Sequence, residues 1–239
     1  MKPQKFTAKL TDKEVFNEKF TKYIFEIEHP YNMKFKAGQF VSVKVSEDGV
    51  RRSYSICSDA SVDHGFELVL DHSPNGLGVN FFKQLQFGQE IEVMGPLGHF
   101  FVTDEDLESS RIKEFAFVAT GSGIAPFRSM VLDLLHNKQE TRPITLYWGL
   151  RYVQDLFWEN EFQDLVEQYP NFKFHPTLSK APLEWSLCKG RVTDCLSIHE
   201  LSADTTYYLC GGTAMINDTV KVLESRGVNQ EDIHFEKFF

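Results

Sequence analysis

The sequence predicts two domains: an antiparallel β-barrel followed by a parallel-sheet α/β unit. Three observations carry this. Up to about Thr103 the chain reads as short strands separated by turn dipeptides. From about Phe115 onward, continuous apolar runs alternate with amphipathic helical segments, the pattern of a parallel sheet covered on both faces. Between them lies Asp104–Lys113, charged and without periodicity, where the linker is placed. The expected domains are residues 1–104 and 112–239.

In the first half, Phe6–Leu10, Tyr23–Glu28, Gln39–Val45, Arg52–Cys57, Phe66–Leu70, Glu90–Met94 and His99–Val102 are rich in β-branched or aromatic residues. His29-Pro30, Asp48-Gly49, Pro74-Asn75-Gly76 and Gly95-Pro96 are the turns. Seven short strands in about a hundred residues suit a closed barrel. One helix is predicted near Val79–Leu85, with Phe81, Phe82 and Leu85 on one face.

In the second half, the buried strands are Phe115–Ala119, Ile144–Trp148, Phe172–Phe174 and Tyr207–Cys210, with an edge strand at Ile233–Glu236. Helices are predicted at Pro126–Asn137, Glu159–Gln168, Val192–Leu201 and Ala214–Arg226, the last ended by Gly227. Ligands of such sheets sit beyond the carboxyl ends of the strands. Attention therefore falls on the residues just after Ala119, Trp148, Phe174 and Cys210.

Composition narrows the function. The formal net charge of −9 leaves no basic surplus to neutralise phosphates, which argues against nucleic acid. No stretch approaches membrane-spanning length, and the amino-terminal residues carry no apolar run. Cys57, Cys188, Cys195 and Cys210 form no C-x-x-C pair, so zinc and iron–sulfur readings lose their main support. A reduced, cytoplasmic monomer without metal is expected.

Three motifs suggest chemistry. Thr120-Gly121-Ser122-Gly123-Ile124-Ala125-Pro126 follows the first buried strand and opens a helix, where glycines and orphan N–H donors can approach a phosphate. The alternative is an ordinary glycine-rich turn. Arg51-Arg52-Ser53-Tyr54-Ser55 offers a guanidinium for phosphate, an aromatic face for a flat heterocycle and hydroxyls for ring nitrogens. An exposed strand face with a salt-bridged arginine is the plainer reading. Cys210-Gly211-Gly212-Thr213 ends a buried strand, and Cys210 read alone is a small core residue.

Taken together, R-x-Y-S at Arg52–Ser55, G-S-G-I-A-P, Y-W-G-L-R at Tyr147–Arg151 and C-G-G, in this order, resemble the ferredoxin–NADP reductase superfamily over nearly the whole chain. The resemblance implies that Arg52 binds flavin phosphate, Tyr54 packs on the isoalloxazine and Ser55 sits near the flavin N5, with Ser53 counted among the cofactor-binding residues. Leu68 and Val69 fall on the strand beside it. Gly76, Gly78, Val79 and Asn80 match the pyrophosphate loop and helix start. Thr120, Gly121, Gly123 and Pro126 match the nicotinamide-nucleotide turn. Cys210, Gly211 and Gly212 fall beside the nicotinamide, and Glu236 matches a carboxylate near the carboxyl terminus. Catalytic roles are thereby implied for Ser55, Cys210 and Glu236. Val79 replaces a usual hydroxyl and Asp71 a usual basic residue. FAD is expected before FMN.

The implied reaction is hydride transfer from NAD(P)H to FAD, then single electrons to an acceptor. The chain holds no C-x4-C-x2-C cluster motif, so the acceptor is expected to be a separate ferredoxin, flavodoxin or oxygenase component. Arg51, Lys34 and Lys36 are candidates to meet an acidic acceptor. A free-flavin reductase and a non-catalytic flavoprotein subunit or sensor are the alternatives. Arg151, Lys180 and Arg191 fall where relatives hold the adenosine phosphate, which leans the expectation toward NADPH. In relatives a terminal aromatic often stacks on the flavin, which makes Phe238 a candidate gate together with Phe239; filling the core is the alternative.

Overall fold

The computed structural model describes residues 3–238 and divides into two units. The first comprises the chain up to Val102 together with Ala125–Lys138. Its sheet contains β1 (Gln4–Val15), β2 (Phe20–His29), β3 (Phe40–Lys44), β4 (Arg51–Ser55), β5 (Gly65–Asp71) and, after helix α1 (Leu77–Gln84), β6 (Glu90–Leu97). The strands pair antiparallel in the order β4-β3-β6-β1-β2-β5. The two ends of this row meet through a bridge between Ile56 and Leu68 and a bond from the Cys57 amide to the Glu67 carbonyl, 2.9 Å. A barrel results, joined at a narrow seam. Alternation along the strands sends Phe25, Phe66, Leu68 and Val93 inward, and Phe82 of α1 plugs the same core.

The predicted strand at His99–Val102 does not form. Gly98 adopts φ +93°, which turns the chain out of β6. Phe100 is then buried against Phe127 of the helix Ala125–Leu132, ring centroids 5.8 Å apart, and packing takes the place of pairing. Arg128 of that helix donates to the Cys57 carbonyl and to the Glu67 carboxylate, both at 2.7 Å, beside the seam.

The second unit runs from Thr103 to Ile124 and from Gln139 to the carboxyl end. It contains α2 (Asp104–Glu108) and β7 (Glu114–Thr120); Ala125–Leu132, α3 in chain order, belongs to the first unit. Next come β8 (Ile144–Leu150), α4 (Glu159–Gln168), β9 (Phe172–Leu178), β10 (Cys188–Lys189), α5 (Val192–Ile198), β11 (Thr205–Gly212), α6 (Thr213–Ser225) and β12 (Ile233–Phe238). All strands are parallel, in the order β10-β9-β8-β7-β11-β12. The order reverses at β7 and β11, which opens a crevice at their carboxyl ends. Every residue of β8 is buried, as a central parallel strand requires.

Three further expectations are corrected by the fold. The charged stretch after Thr103 opens with a helix, because Thr103 and Asp106 cap each other reciprocally. Arg142 holds this helix and the residues after it, donating to the carbonyls of Asp106, Ser109 and Ile112 at 3.2 Å and of Leu107 at 3.0 Å. α5 stops at Ile198, three residues short of the predicted end, with His199 in extended backbone. Finally, the cysteines are not all reduced: Cys188 and Cys195 form a disulfide between β10 and α5, while Cys57 and Cys210 are buried outside any disulfide. No described helix is long and apolar enough to cross a membrane.

Candidate functional site

The first unit presents its site on β4 and the start of α1. Strand alternation and position leave Arg52 and Ser53 exposed, Tyr54 half-buried and Ser55 buried. The two adjacent arginines differ. Arg51 is bound to the Glu92 carboxylate at 2.6 Å and to the Ser42 carbonyl at 3.0 Å. Its charge is therefore used inside the unit. Arg52 makes a bond to the Arg51 carbonyl, 2.8 Å, and its exposed guanidinium has further donors.

α1 starts at Gly76 without any side-chain cap. Its first intrahelical bond runs from the Asn80 amide to the Gly76 carbonyl, 3.0 Å, so the amides of Leu77, Gly78 and Val79 have no partner within the helix. Gly78 brings these donors onto β4. A Cβ there would overlap the Tyr54 hydroxyl and lie 3.3 Å from the Arg52 side chain. Uncapped amides, a helix dipole and a guanidinium thus converge on one patch, a donor set that fits a pyrophosphate. Val79 is buried and Asn80 exposed at this turn.

Tyr54 meets Phe82 edge-on at 5.0 Å, which fixes its ring plane. Burial pushes its hydroxyl up to about 12 against the opposing pull of Arg52, so it stays protonated and presents a neutral aromatic surface. Leu68 lies in the barrel core and Val69 is buried on the other face of β5. Asp71 accepts the Ser73 amide at 2.8 Å, which stabilises the turn after β5.

The second unit presents its site at the crevice. Thr120 ends β7, Gly121 turns at φ +55°, and its carbonyl accepts the indole N–H of buried Trp148 at 2.9 Å. A 3-10 turn, Gly121–Ile124, then precedes α3, with Pro126 in its first turn. Gly123 packs on β11: a Cβ there would lie 2.8 Å from the Cys210 carbonyl carbon. Gly211 packs on β7, where a Cβ would overlap the Thr120 hydroxyl. The two glycine motifs therefore touch each other, and Gly212 caps α6.

Cys210 is fully buried, and its thiol is pushed well up, first by burial and then by Glu236. The β11–β12 register sets Cys210 opposite Glu236 and Gly212 opposite Phe238. Phe238 is half-buried at the end of β12; Phe239 lies outside the described residues.

Arg151, Lys180 and Arg191 come together, as the resemblance implies. They line an open depression of about 700 Å3 together with Ser179, Asp194 and Asp218. The Lys180 amide bonds the Arg151 carbonyl at 2.9 Å, and Arg191 reaches Asp218 at 3.7 Å.

A histidine pair went unnoticed in the sequence. His175 stacks on Tyr147 at 5.1 Å and lies 4.3 Å from His199. Burial, then His199 and Lys173, hold its imidazole down to about 4. No local motif marks the pair, because β9 and the end of α5 meet only in the folded unit.

Comparison with known proteins agrees with this geometry. Residues 7–102 match the oxidoreductase FAD-binding domain family and residues 117–221 the oxidoreductase NAD-binding domain family. The chain is 34% identical over 212 residues to the reductase component of phenol 2-monooxygenase from Pseudomonas sp. strain CF600, covering 87% of this chain and 58% of that protein. It is 30% identical to the reductase subunit of an aromatic O-demethylase from Amycolatopsis sp., covering 86% and 61%. The chain therefore spans about three fifths of these relatives. The crystal structure of the Amycolatopsis cytochrome P450 reductase superposes with a TM-score of 0.90 at 28% identity, over 99% of this chain and 70% of that one. A ferredoxin–NADP+ reductase from Neisseria gonorrhoeae with bound FAD and NADP shares the fold, with a TM-score of 0.81 at 23% identity over the full length of both.

Proposed function

The chain belongs to the FAD- and NAD-binding oxidoreductases of the ferredoxin–NADP reductase type, and from that premise we propose that it takes hydride from NAD(P)H onto bound FAD and delivers electrons singly to a separate acceptor protein. The observation that carries this is the patch at Gly78, where uncapped α1 amides meet Arg52 and Tyr54. FAD, when bound, accepts two electrons together and releases them one at a time.

The residues of the chain bind and orient. Arg52 and the α1 amides neutralise the pyrophosphate. Tyr54 supplies a flat, neutral ring face, and Ser55 a buried hydroxyl for a ring nitrogen. Gly123 and Gly211 let the turn after β7 and the end of β11 pack on each other, and Gly121 and Gly212, where a Cβ would meet nothing within 4 Å, leave the strand ends open to the nicotinamide nucleotide. Cys210, held neutral, packs beside the nicotinamide, and Glu236 offers a carboxylate at the same strand ends. Holding the two reacting atoms near contact is the protein's main contribution to rate.

Three cations against two carboxylates in the depression favour the extra phosphate of NADPH. The acceptor fits a ferredoxin, a flavodoxin or an oxygenase component; the Pseudomonas relative, a monooxygenase reductase component, supports the last. The test is direct. The purified protein should be yellow, should retain flavin through gel filtration, and should bleach with NADPH under anaerobic conditions. A colourless protein that binds no added FAD, or one that NADPH and NADH both fail to bleach, overturns the reading. Lys180→Ala should lower kcat/KM for NADPH more than for NADH.

A further inference from the structure

Cys188 and Cys195 bracket the loop that carries Arg191. Between the two sulfurs lie Lys189, Gly190, Arg191, Val192, Thr193 and Asp194, and four of these line the depression assigned to the adenosine phosphate. The loop is tightly wound. Gly190 turns at φ +100° with its α-carbon against the Asp194 carboxylate, and that carboxylate accepts the Arg191 amide at 2.6 Å. On one side it hangs from β10, two residues of edge strand paired to β9; on the other it opens α5, whose Cys195 is buried. The disulfide is the covalent tie between those two supports, with the Cα atoms 5.6 Å apart.

We propose that this disulfide is a redox switch on nucleotide binding: oxidised, it holds Arg191 in place to receive the adenosine phosphate; reduced, it releases the loop and weakens that binding. The proposal rests on the nucleotide reading of the depression.

The chemistry is set by access. Cys188 is half-buried and borders a separate cavity of about 330 Å3, whereas Cys195 is enclosed. The thiolate of a dithiol reductant attacks Cys188 Sγ, the bond to Cys195 Sγ breaks, and Cys195 leaves as thiolate. The Cys195 thiolate then takes up a proton from solvent; His199 Nδ1, 3.9 Å from Cys195 Sγ, is engaged with the Cys195 carbonyl at 2.8 Å. The second thiol of the reductant then displaces Cys188. Two electrons and two protons enter the protein, and the reductant departs as its disulfide. Cys57 and Cys210, both buried, have no part in this exchange.

A cross-link of this kind acts by restricting the open states of the segment it closes. Positioning of Arg191 is the quantity expected to change, so the probe is the adenosine half of the nucleotide, which needs neither flavin nor hydride transfer. Binding of 2′,5′-ADP to the full chain is measured by calorimetry before and after dithiothreitol, with thiol titration to confirm that two thiols appear on reduction. The oxidised protein should bind about fivefold more tightly, the lower end of ordinary coupling between sites. Cys188→Ser should bind like the reduced protein in both conditions. Equal affinity in the two confirmed redox states overturns the switch, as does titration of four thiols in protein prepared under mild oxidant. Failure of both states to bind 2′,5′-ADP and 5′-AMP overturns the nucleotide reading itself, and the switch with it.

Discussion

Gly123 rests against the backbone of Cys210, so that the turn after β7 and the end of β11 form a single surface. A Cβ at position 123 would lie 2.8 Å from the Cys210 carbonyl carbon and 3.1 Å from the Gly211 α-carbon, and neither backbone has a rotamer to move away. Gly123→Ala should therefore cost about 1–3 kcal/mol of stability by overpacking. Nicotinamide-nucleotide affinity should fall with it, while the flavin content stays unchanged. Urea unfolding and nucleotide titration check this; a stable variant with unaltered affinity removes the assigned role.

Arg52 separates binding from stability. It is exposed and carries no carboxylate partner among the described contacts. Arg52→Ala should leave stability within about 0.5 kcal/mol, as for other surface changes. Flavin affinity should drop about tenfold or more, the loss of one charge-assisted bond. Flavin titration beside thermal unfolding reads both quantities.

Cys210 is expected to matter for rate. Cys210→Ala removes one sulfur from a tight site, so stability should fall by about 1 kcal/mol, at the low end of core truncations. Flavin reduction by NADPH, followed by stopped flow without oxygen, should slow much more. A large stability loss with a normal reduction rate would return Cys210 to a purely core role. Because burial and Glu236 hold the thiol protonated, iodoacetamide at about pH 8 should leave it unmodified in the folded protein.

His175 gives a pH signature. Its imidazole titrates near 4 when folded and near the ordinary 6.5 when unfolded. Between these values the unfolded chain binds a proton that the folded one refuses, so stability rises with pH across the window. Above about 6.5 both states are neutral and the effect ends. His175→Gln should flatten the Tm profile from about pH 4 to 6.5 and leave it parallel to wild type above about pH 7.

Arg142 fixes the segment after Thr103. Its guanidinium serves four carbonyls there and stacks on Phe115 at 4.7 Å. Arg142→Ala leaves several acceptors unpaired, with an expected loss of about 2 kcal/mol. Proteolysis should then cut first between residues 104 and 113, where wild type resists.

Hydrophobic runs and glycine-rich turns are legible in the sequence. β8 and β11 are continuous apolar runs, and both strands lie where those runs are. Arg52, Gly78 and Gly123 were marked by residue type beside a strand or helix start. One feature that escaped is local: Asp104–Glu108 reads as a charged linker, yet Thr103 and Asp106, three residues apart, form the reciprocal cap that starts its helix. The others depend on partners that meet only in the fold. Phe100 looked like a strand residue because Phe127, its packing partner, lies far along the chain. Cys188 and Cys195 form no recognisable sequence pair, since six residues lie between them and only the meeting of β10 with α5 brings them together.

The narrow seam between Ile56 and Leu68 bears on how the protein must be handled. β4 pairs fully with β3 on one side, while across the seam the described residues join it to the rest of the barrel around Ile56 and Cys57. Strand edges of this kind template association between chains. Ligand that binds to β4 and α1 also shields that edge, and by mass action it stabilises the closed form. Protein stripped of ligand should therefore exchange the amides of residues 52–57 faster than ligand-loaded protein does, and should form aggregates on concentration that the ligand-loaded protein does not.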